Sequence, residues 1–318
     1  MLHPRAFKVT VVWTLSLLFL GSIVHATESS LACPDWPTCF GTMVPEMTGG
    51  VFWEHLHRLV AGGLVLMFVL ATWLARRETS DRRWIFRACM AGVGLLLVQS
   101  TFGGLTVIYQ LPDLVSTTHL TLAFSFLALA TVLAAMTHGA PAPGDPTRSI
   151  PPAIEGFGRG VGARLRTWSA MTAGLVLVQS VLGALVRHTD GGMSCPDVPL
   201  CLGQVVPPLV NIQITSHVLH RLFAVLATIA VVALATWARK AAMPPNVRRW
   251  VLAAIPLVLL QVALGVWSVL SVLDVPPVSL HTLVAALLIV VLTVAASLGA
   301  RAATVETGEK PAGGPVPV

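Results

Sequence analysis

The stretch that decides the fold is GSIVHATESSLACPDWPTCFGTMVP, residues 21–45, because it recurs as GALVRHTDGGMSCPDVPLCLGQVVP at residues 183–207. Cys33 and Cys39 align with Cys195 and Cys201 at a shift of 162. EHLHRLVAG from Glu54 matches HVLHRLFAV from His217 at a shift of 163, and LVQSTFGGL from Leu97 resembles LLQVALGVW from Leu259. TTHL around His119 matches SLHT around His281. Four landmarks in one order mark an internal duplication. The halves run over 1–137 and 166–300. Between them 138–165, which includes PAPGDPTRSIPPAIEGFGRG, reads as a flexible cytoplasmic linker, and 301–318 as a cytoplasmic tail.

Each repeated piece borders an apolar run. Such runs lie at 8–25, 54–75, 85–108, 116–137, 166–187, 214–238, 249–272 and 279–300, each close to the roughly 20 residues that cross a bilayer. Composition agrees: 55% of the 318 residues are hydrophobic and 11% charged, against about 25% charged in soluble domains. The sequence therefore predicts an all-α integral membrane protein, eight transmembrane helices arranged as two pseudo-symmetric four-helix bundles. In lipid, backbone polar groups must be satisfied within the helices.

Basic residues orient the bundle. Arg5 and Lys8 precede the first span, and Arg76, Arg77, Arg82 and Arg83 join the second to the third. Arg148, Arg159, Arg164 and Arg166 separate the fourth from the fifth, and Arg239, Lys240, Arg248 and Arg249 the sixth from the seventh. Both termini are expected in the cytoplasm, with the loops at 26–53, 109–115, 188–213 and 273–278 outside. The net charge of +6 is spread over these links and gathers on no one face, so it does not point to nucleic acid. A cleavable signal peptide ending near Val24-His25-Ala26 is the rival reading of the N-terminus. It is disfavoured because the first span has a retained counterpart in the fifth.

Four of the five cysteines form two C-x5-C pairs in outward loops, where disulfides persist. Cys195–Cys201 reads as a loop staple. Cys33–Cys39 reads as a staple or a redox pair, since spacing does not reveal a potential. A zinc site would need ligands gathered from both loops. Cys89 reads as a small buried residue.

Of ten histidines, His57, His119, His220 and His281 each stand three or four positions into every second span, hence at one depth. Ionisable residues inside a membrane are functional candidates by default. Histidines on two helices of a four-helix unit are how bundles hold a heme through both axial positions. His57 pairs with His119 and His220 with His281, at separations of 62 and 61 residues. Zinc or copper would also take imidazole, but no carboxylate or thiolate completes either pair. Arg58 and Arg221 read as snorkelling cations or as contacts to heme propionates. Glu54 stands where the second half has His217, on the face of the first histidine of its pair. There a carboxylate can move protons; the alternative is a charge that suits the helix N-terminus. His55 falls off this face. His3, His25, His138 and His188 read as surface residues.

On CPDWPTC and CPDVPLC, E-x-x-H-R at Glu54–Arg58, H-R-L at His220, and His119 and His281, the chain resembles the heme A synthase family over about 8–300. The resemblance implies oxidation of a ring methyl of heme O to a formyl group, through hydroxylated intermediates, giving heme A for terminal oxidases. It implies heme B as cofactor on His220 and His281, heme O at His57 and His119, and Glu54 as the catalytic residue. It also implies a bacterial cytoplasmic membrane location, heme O synthase and an electron donor as partners besides lipid, and it admits a homo-oligomer. At the end of the first span His25 stands where the second repeat has Arg187.

Two other classes compete. A di-heme electron carrier of cytochrome b type would also pair histidines, but has no need of Glu54. A duplicated transporter would explain the symmetry and not the histidine pairs, and should show broken helices near the midplane.

Overall fold

The structure is a computed structural model and describes residues 2–78, 83–138 and 157–304. Arg82, Arg148, most of the expected linker and all but the start of the expected tail lie outside the described residues. Among those described, the regular structure is helical: α1 His3–Ala26, α2 Gly49–Glu78, α3 Arg83–Ile108, α4 Asp113–Thr137, α5 Arg159–His188, α6 Ile212–Lys240, α7 Pro245–Leu252, α8 Ala254–Leu270 and α9 Val275–Thr304. With α7 and α8 counted as one span, eight helical segments are long and apolar enough to cross a bilayer. The protein is a multi-pass, all-α membrane protein.

Two boundaries depart from the apolar runs. The seventh span is not continuous: α7 stops at Leu252 and α8 resumes at Ala254. Pro256 is responsible, since it has no N–H to donate to Leu252 and its ring crowds that carbonyl. The fifth span begins at Arg159, inside the stretch read as linker. Charge and glycine in GRGVGARLR hide its periodicity, yet Leu165 is wholly buried. A Cβ on Gly299 would stand 2.5 Å from the Arg166 nitrogen and 2.7 Å from the Gly162 oxygen, so α5 and α9 cross backbone to backbone, as small residues allow in membranes.

The core is built from α4 and α9, which pack on each other and on both α1 and α5; α2 and α3 flank it on one side, and α6, α7 and α8 on the other. α9 is the most enclosed span, with Leu288, Ile289 and Leu292 each 2% exposed or less. In the first half Phe7, Phe68 and Phe126 pack in sequence, with centroids 6.4 and 5.0 Å apart, the first pair tilted and the second edge-on. Trp13 lies on Gly63 and donates Nε1–H to the Val60 carbonyl at 3.1 Å, joining α1 to α2. Buried hydroxyls such as Thr10, Thr14, Thr131 and Ser297 bond the carbonyl one turn earlier, so they carry no unmet demand in lipid. Arg301 of α9 donates to the carbonyls of Ala135 and His138 at 3.0 and 2.9 Å, closing the end of α4.

Three of the four histidines read as surface residues are not. His3 is 1% exposed and its Nδ1 lies 2.7 Å from Glu78 of α2. His25 and His188 are half-buried and meet at the α1–α5 seam with ring centroids 5.1 Å apart. His188 also lies 3.0 Å from the Thr117 hydroxyl, and Arg187 donates to the His25 carbonyl at 2.8 Å. Helix pairing brings these together from distant sequence. His138 is exposed as expected, and Cys89 is buried with a free thiol.

Candidate functional site

All four repeated histidines sit at the end of the bundle that carries the disulfide loops. His220 of α6 faces His281 of α9 with ring centroids 6.3 Å apart. A metal–imidazole bond of about 2 Å places a ring centre roughly 3 Å from the metal, so two rings clasping one ion stand about 6 Å apart. The observed spacing fits. His57 of α2 and His119 of α4 likewise lie within electrostatic reach of each other.

Each ring rests on a glycine of the preceding span. A methyl on Gly21 would stand 2.9 Å from Cε1 of His57, and on Gly103 2.9 Å from His119. On Gly183 it would stand 2.8 Å from His220, and on Gly265 3.0 Å from His281. Only glycine leaves the imidazole room against the neighbouring backbone. A glutamine stands one turn before three of these glycines: Gln99, Gln179 and Gln261. His119 and His281 donate Nδ1–H to the carbonyls of Gln99 and Gln261, each at 3.1 Å. Nε2 is then the lone-pair nitrogen, the state a metal ligand needs. Gln179 donates to the His220 carbonyl at 2.8 Å and lies 3.0 Å from its Nδ1. These glycines and glutamines were missed in the sequence, although Q-x-x-x-G stands in register with the repeat. The residues of the second half thus fit an iron porphyrin held between two imidazoles, and the first half repeats the histidines and their glycine seats.

Both C-x5-C pairs are disulfides. Each loop turns through a cis X–Pro bond, Trp36–Pro37 or Val198–Pro199, and through a glycine at positive φ, Gly41 (+72°) or Gly203 (+75°). Asp35 fastens the first turn, accepting from Phe40 N, Gly41 N and the Thr38 hydroxyl. The Thr38 hydroxyl and then the Gly41 amide hold its carboxyl below the usual carboxylate range. Asp197 repeats the bond to Gly203 at 2.8 Å.

Arg58 and Arg221 anchor these loops. Arg58 donates to the carbonyls of Asp35 (2.6 Å), Thr38 and Cys33, and to Glu54 at 2.5 Å. Arg221 donates to Asp197 (2.8 Å), Leu200 and Cys195 (2.6 Å). Glu54 is 4% exposed, and its second oxygen accepts from the Cys33 amide at 2.8 Å. His217, its counterpart, donates Nδ1–H to the Gly191 carbonyl at 2.9 Å. Breaking a buried ion pair by removing one partner costs about 3–5 kcal/mol. Arg58→Met is therefore expected to lower the melting temperature of the detergent-solubilised protein well beyond Arg221→Met, whose carbonyl partners carry no full charge.

The halves differ at the same level. His55 packs on the first disulfide where Val218 packs on the second. Trp36 lies over Gly104, whose Cβ would come within 2.8 Å of the indole; the second half has Val198 and Val266 at those places.

Comparison with known proteins agrees with this layout. A family model described as COX15-CtaA, cytochrome oxidase assembly protein, matches residues 46–293. A protein of Symbiobacterium thermophilum named heme A synthase is 31% identical over 86% of this chain and 87% of its own length. Proteins of the same name from Shouchella clausii and Halalkalibacterium halodurans are 28% and 26% identical, over 74% and 89% of this chain and 76% and 94% of theirs. With this much of its length matched, the chain belongs to the COX15-CtaA family of cytochrome oxidase assembly proteins, the heme A synthases.

Proposed function

We propose that the chain is a heme A synthase, an oxidoreductase that takes heme O as substrate and oxidises one ring methyl to a formyl group. The observation that carries the reading is the pair of imidazole couples, each ring seated on its own glycine, with one couple spaced as two axial ligands require. His220 and His281 would hold the resident cofactor, heme B; His57 and His119 would receive heme O. Bound iron porphyrin supplies one-electron transfer and oxygen chemistry. This chain's residues orient the macrocycle, exclude water and place a carboxylate beside it. Glu54 is the assigned catalytic group, because it lies one turn from His57 and only this half has an acid there. Arg58 and Arg221 would reach propionates only by giving up loop carbonyls, so their first duty is to fix the loops.

The distribution of Lys and Arg supports both termini in the cytoplasm and the disulfide loops on the outer side of a bacterial cytoplasmic membrane. Electrons must come from a separate donor and heme O from a heme O synthase. The test is expression beside a heme O synthase in a host lacking its own enzyme, with extracted pigments separated and identified. Heme A is the expected product. Unchanged heme O with well-folded protein would leave the di-heme carrier as the better reading.

A further inference from the structure

The first disulfide loop carries ligand chemistry that the heme reading does not use. One ligand atom from each of Cys33, Cys39 and His55 lies within 4.8 Å of the others. Both sulfurs are wholly buried and His55 is 2% exposed. The imidazole Nε2 lies 3.0 Å from the Met43 carbonyl, which can only accept, so Nε2 carries the proton. Nδ1 is then the bare nitrogen, and it is buried with no hydrogen-bond partner. An imidazole whose N–H is fixed on a backbone carbonyl, with its other nitrogen buried and unpartnered beside two cysteine sulfurs, has the outer-shell arrangement of a metal ligand.

The second half is the internal control. Its loop has the same disulfide, cis proline and arginine anchor, but Val218 stands at the place of His55 and packs on Cys195 and Cys201 as an apolar residue. Packing alone is thus satisfied by valine. The histidine leaves this half with a buried nitrogen that has no partner, which packing alone would not select. The loop is also held in place from α2: Cys33 donates its amide to Glu54 and its carbonyl accepts from Arg58. Cys33 is therefore held beside His55 independently of the S–S bond.

We propose that Cys33, Cys39 and His55 form a site for a thiophilic d10 cation such as Zn2+, opened when the disulfide is reduced. An external dithiol supplies two electrons and two protons, the S–S bond breaks to two thiols, and the reductant leaves as its own disulfide. Cation binding then releases the two thiol protons and gives a Cys2His set with a fourth position open. The proposal does not depend on the heme reading.

The test uses the full-length protein in detergent, reduced by a phosphine, which takes oxygen from water as the disulfide gains its two protons and two electrons. The reductant is removed without air and Co2+ is titrated as an optical probe, with Zn2+ as competitor. One Co2+ per chain with sulfur-to-cobalt charge-transfer absorption, displaced by Zn2+, is expected. His55→Val should weaken binding by more than the ~10–100-fold that loss of an outer-shell partner costs. Cys33→Ser with Cys39→Ser, which keeps Cys195, Cys201 and Cys89, should abolish it. Val218→His should add a second equivalent, a gain that no folding defect can mimic. Equal binding by wild type and His55→Val, or no more binding by reduced wild type than by the double serine variant, overturns the site.

Discussion

Glu54→Ala is expected to lower heme A formation at least about 100-fold, the low end of what a positioned acid or base contributes, while heme B stays bound at the other couple. Heme A and heme B in extracted pigments, normalised to protein, read both effects at once. The split follows from where Glu54 sits. It is buried one turn before His57, whereas the His220–His281 couple is on α6 and α9 and shares no residue with it. A structural role must be separated from a chemical one, because Glu54 also bonds Arg58 and the Cys33 amide. In the alanine variant Arg58 keeps three loop carbonyls, so the loop should hold. Glu54→Gln keeps the shape and one acceptor. It is expected to match the alanine variant in heme A and, having lost the charge that pairs with Arg58 but kept the shape, to melt between the alanine variant and wild type. Loss of heme B together with heme A would show that the carboxylate only braces the fold.

This asymmetry is legible in the sequence, and so are the spans. Hydropathy and the 162-residue echo place all eight crossings and both loops, because a bilayer constrains composition more strongly than water does. What stayed hidden was contact between helices. Leu165 and Gly162 are packed against α9, yet arginines and glycines around them read as linker. His25 and His188 meet across the bundle, yet each stands at the end of its own span, and at the shift of 162 neither aligns with a histidine. Pro256 was in plain view; its break was missed because an apolar run gives no sign of a lost hydrogen bond. The glutamines and glycines behind the imidazoles are the sharpest omission. Q-x-x-x-G occurs in the third, fifth and seventh spans, at Gln99, Gln179 and Gln261, and Leu17-x-x-x-Gly21 completes the set. Only the second element of each pair, a histidine from the next helix, gives that pattern a meaning.

The seat glycines also yield the prediction in which stability and function should move apart. Gly183→Ala puts a methyl 2.8 Å from His220 Cε1, and Gly265→Ala one 3.0 Å from His281. The atom in the way is the end of a side chain, so the ring can turn aside, and what it forfeits is its bond to Gln179 or Gln261, worth about 1 kcal/mol. A mid-helix alanine gains up to about 1 kcal/mol over glycine. Compared as heme-free proteins, since bound heme itself raises the melting temperature, the variants are therefore expected to melt close to wild type. The displaced imidazole no longer faces its partner. Since sites tolerate only about 0.5 Å of misplacement, heme B retention through purification should fall at least tenfold, read from the absorbance of the reduced protein. Gly21→Ala and Gly103→Ala press on His57 and His119 in the same way. They should spare heme B and cut heme A by about 100-fold, the effect of roughly 1 Å at a reacting centre. Four substitutions of one kind thus sort into two phenotypes by half of the molecule. If all four lose heme B, or none does, the two couples do not hold separate porphyrins and the division of labour between the halves is wrong.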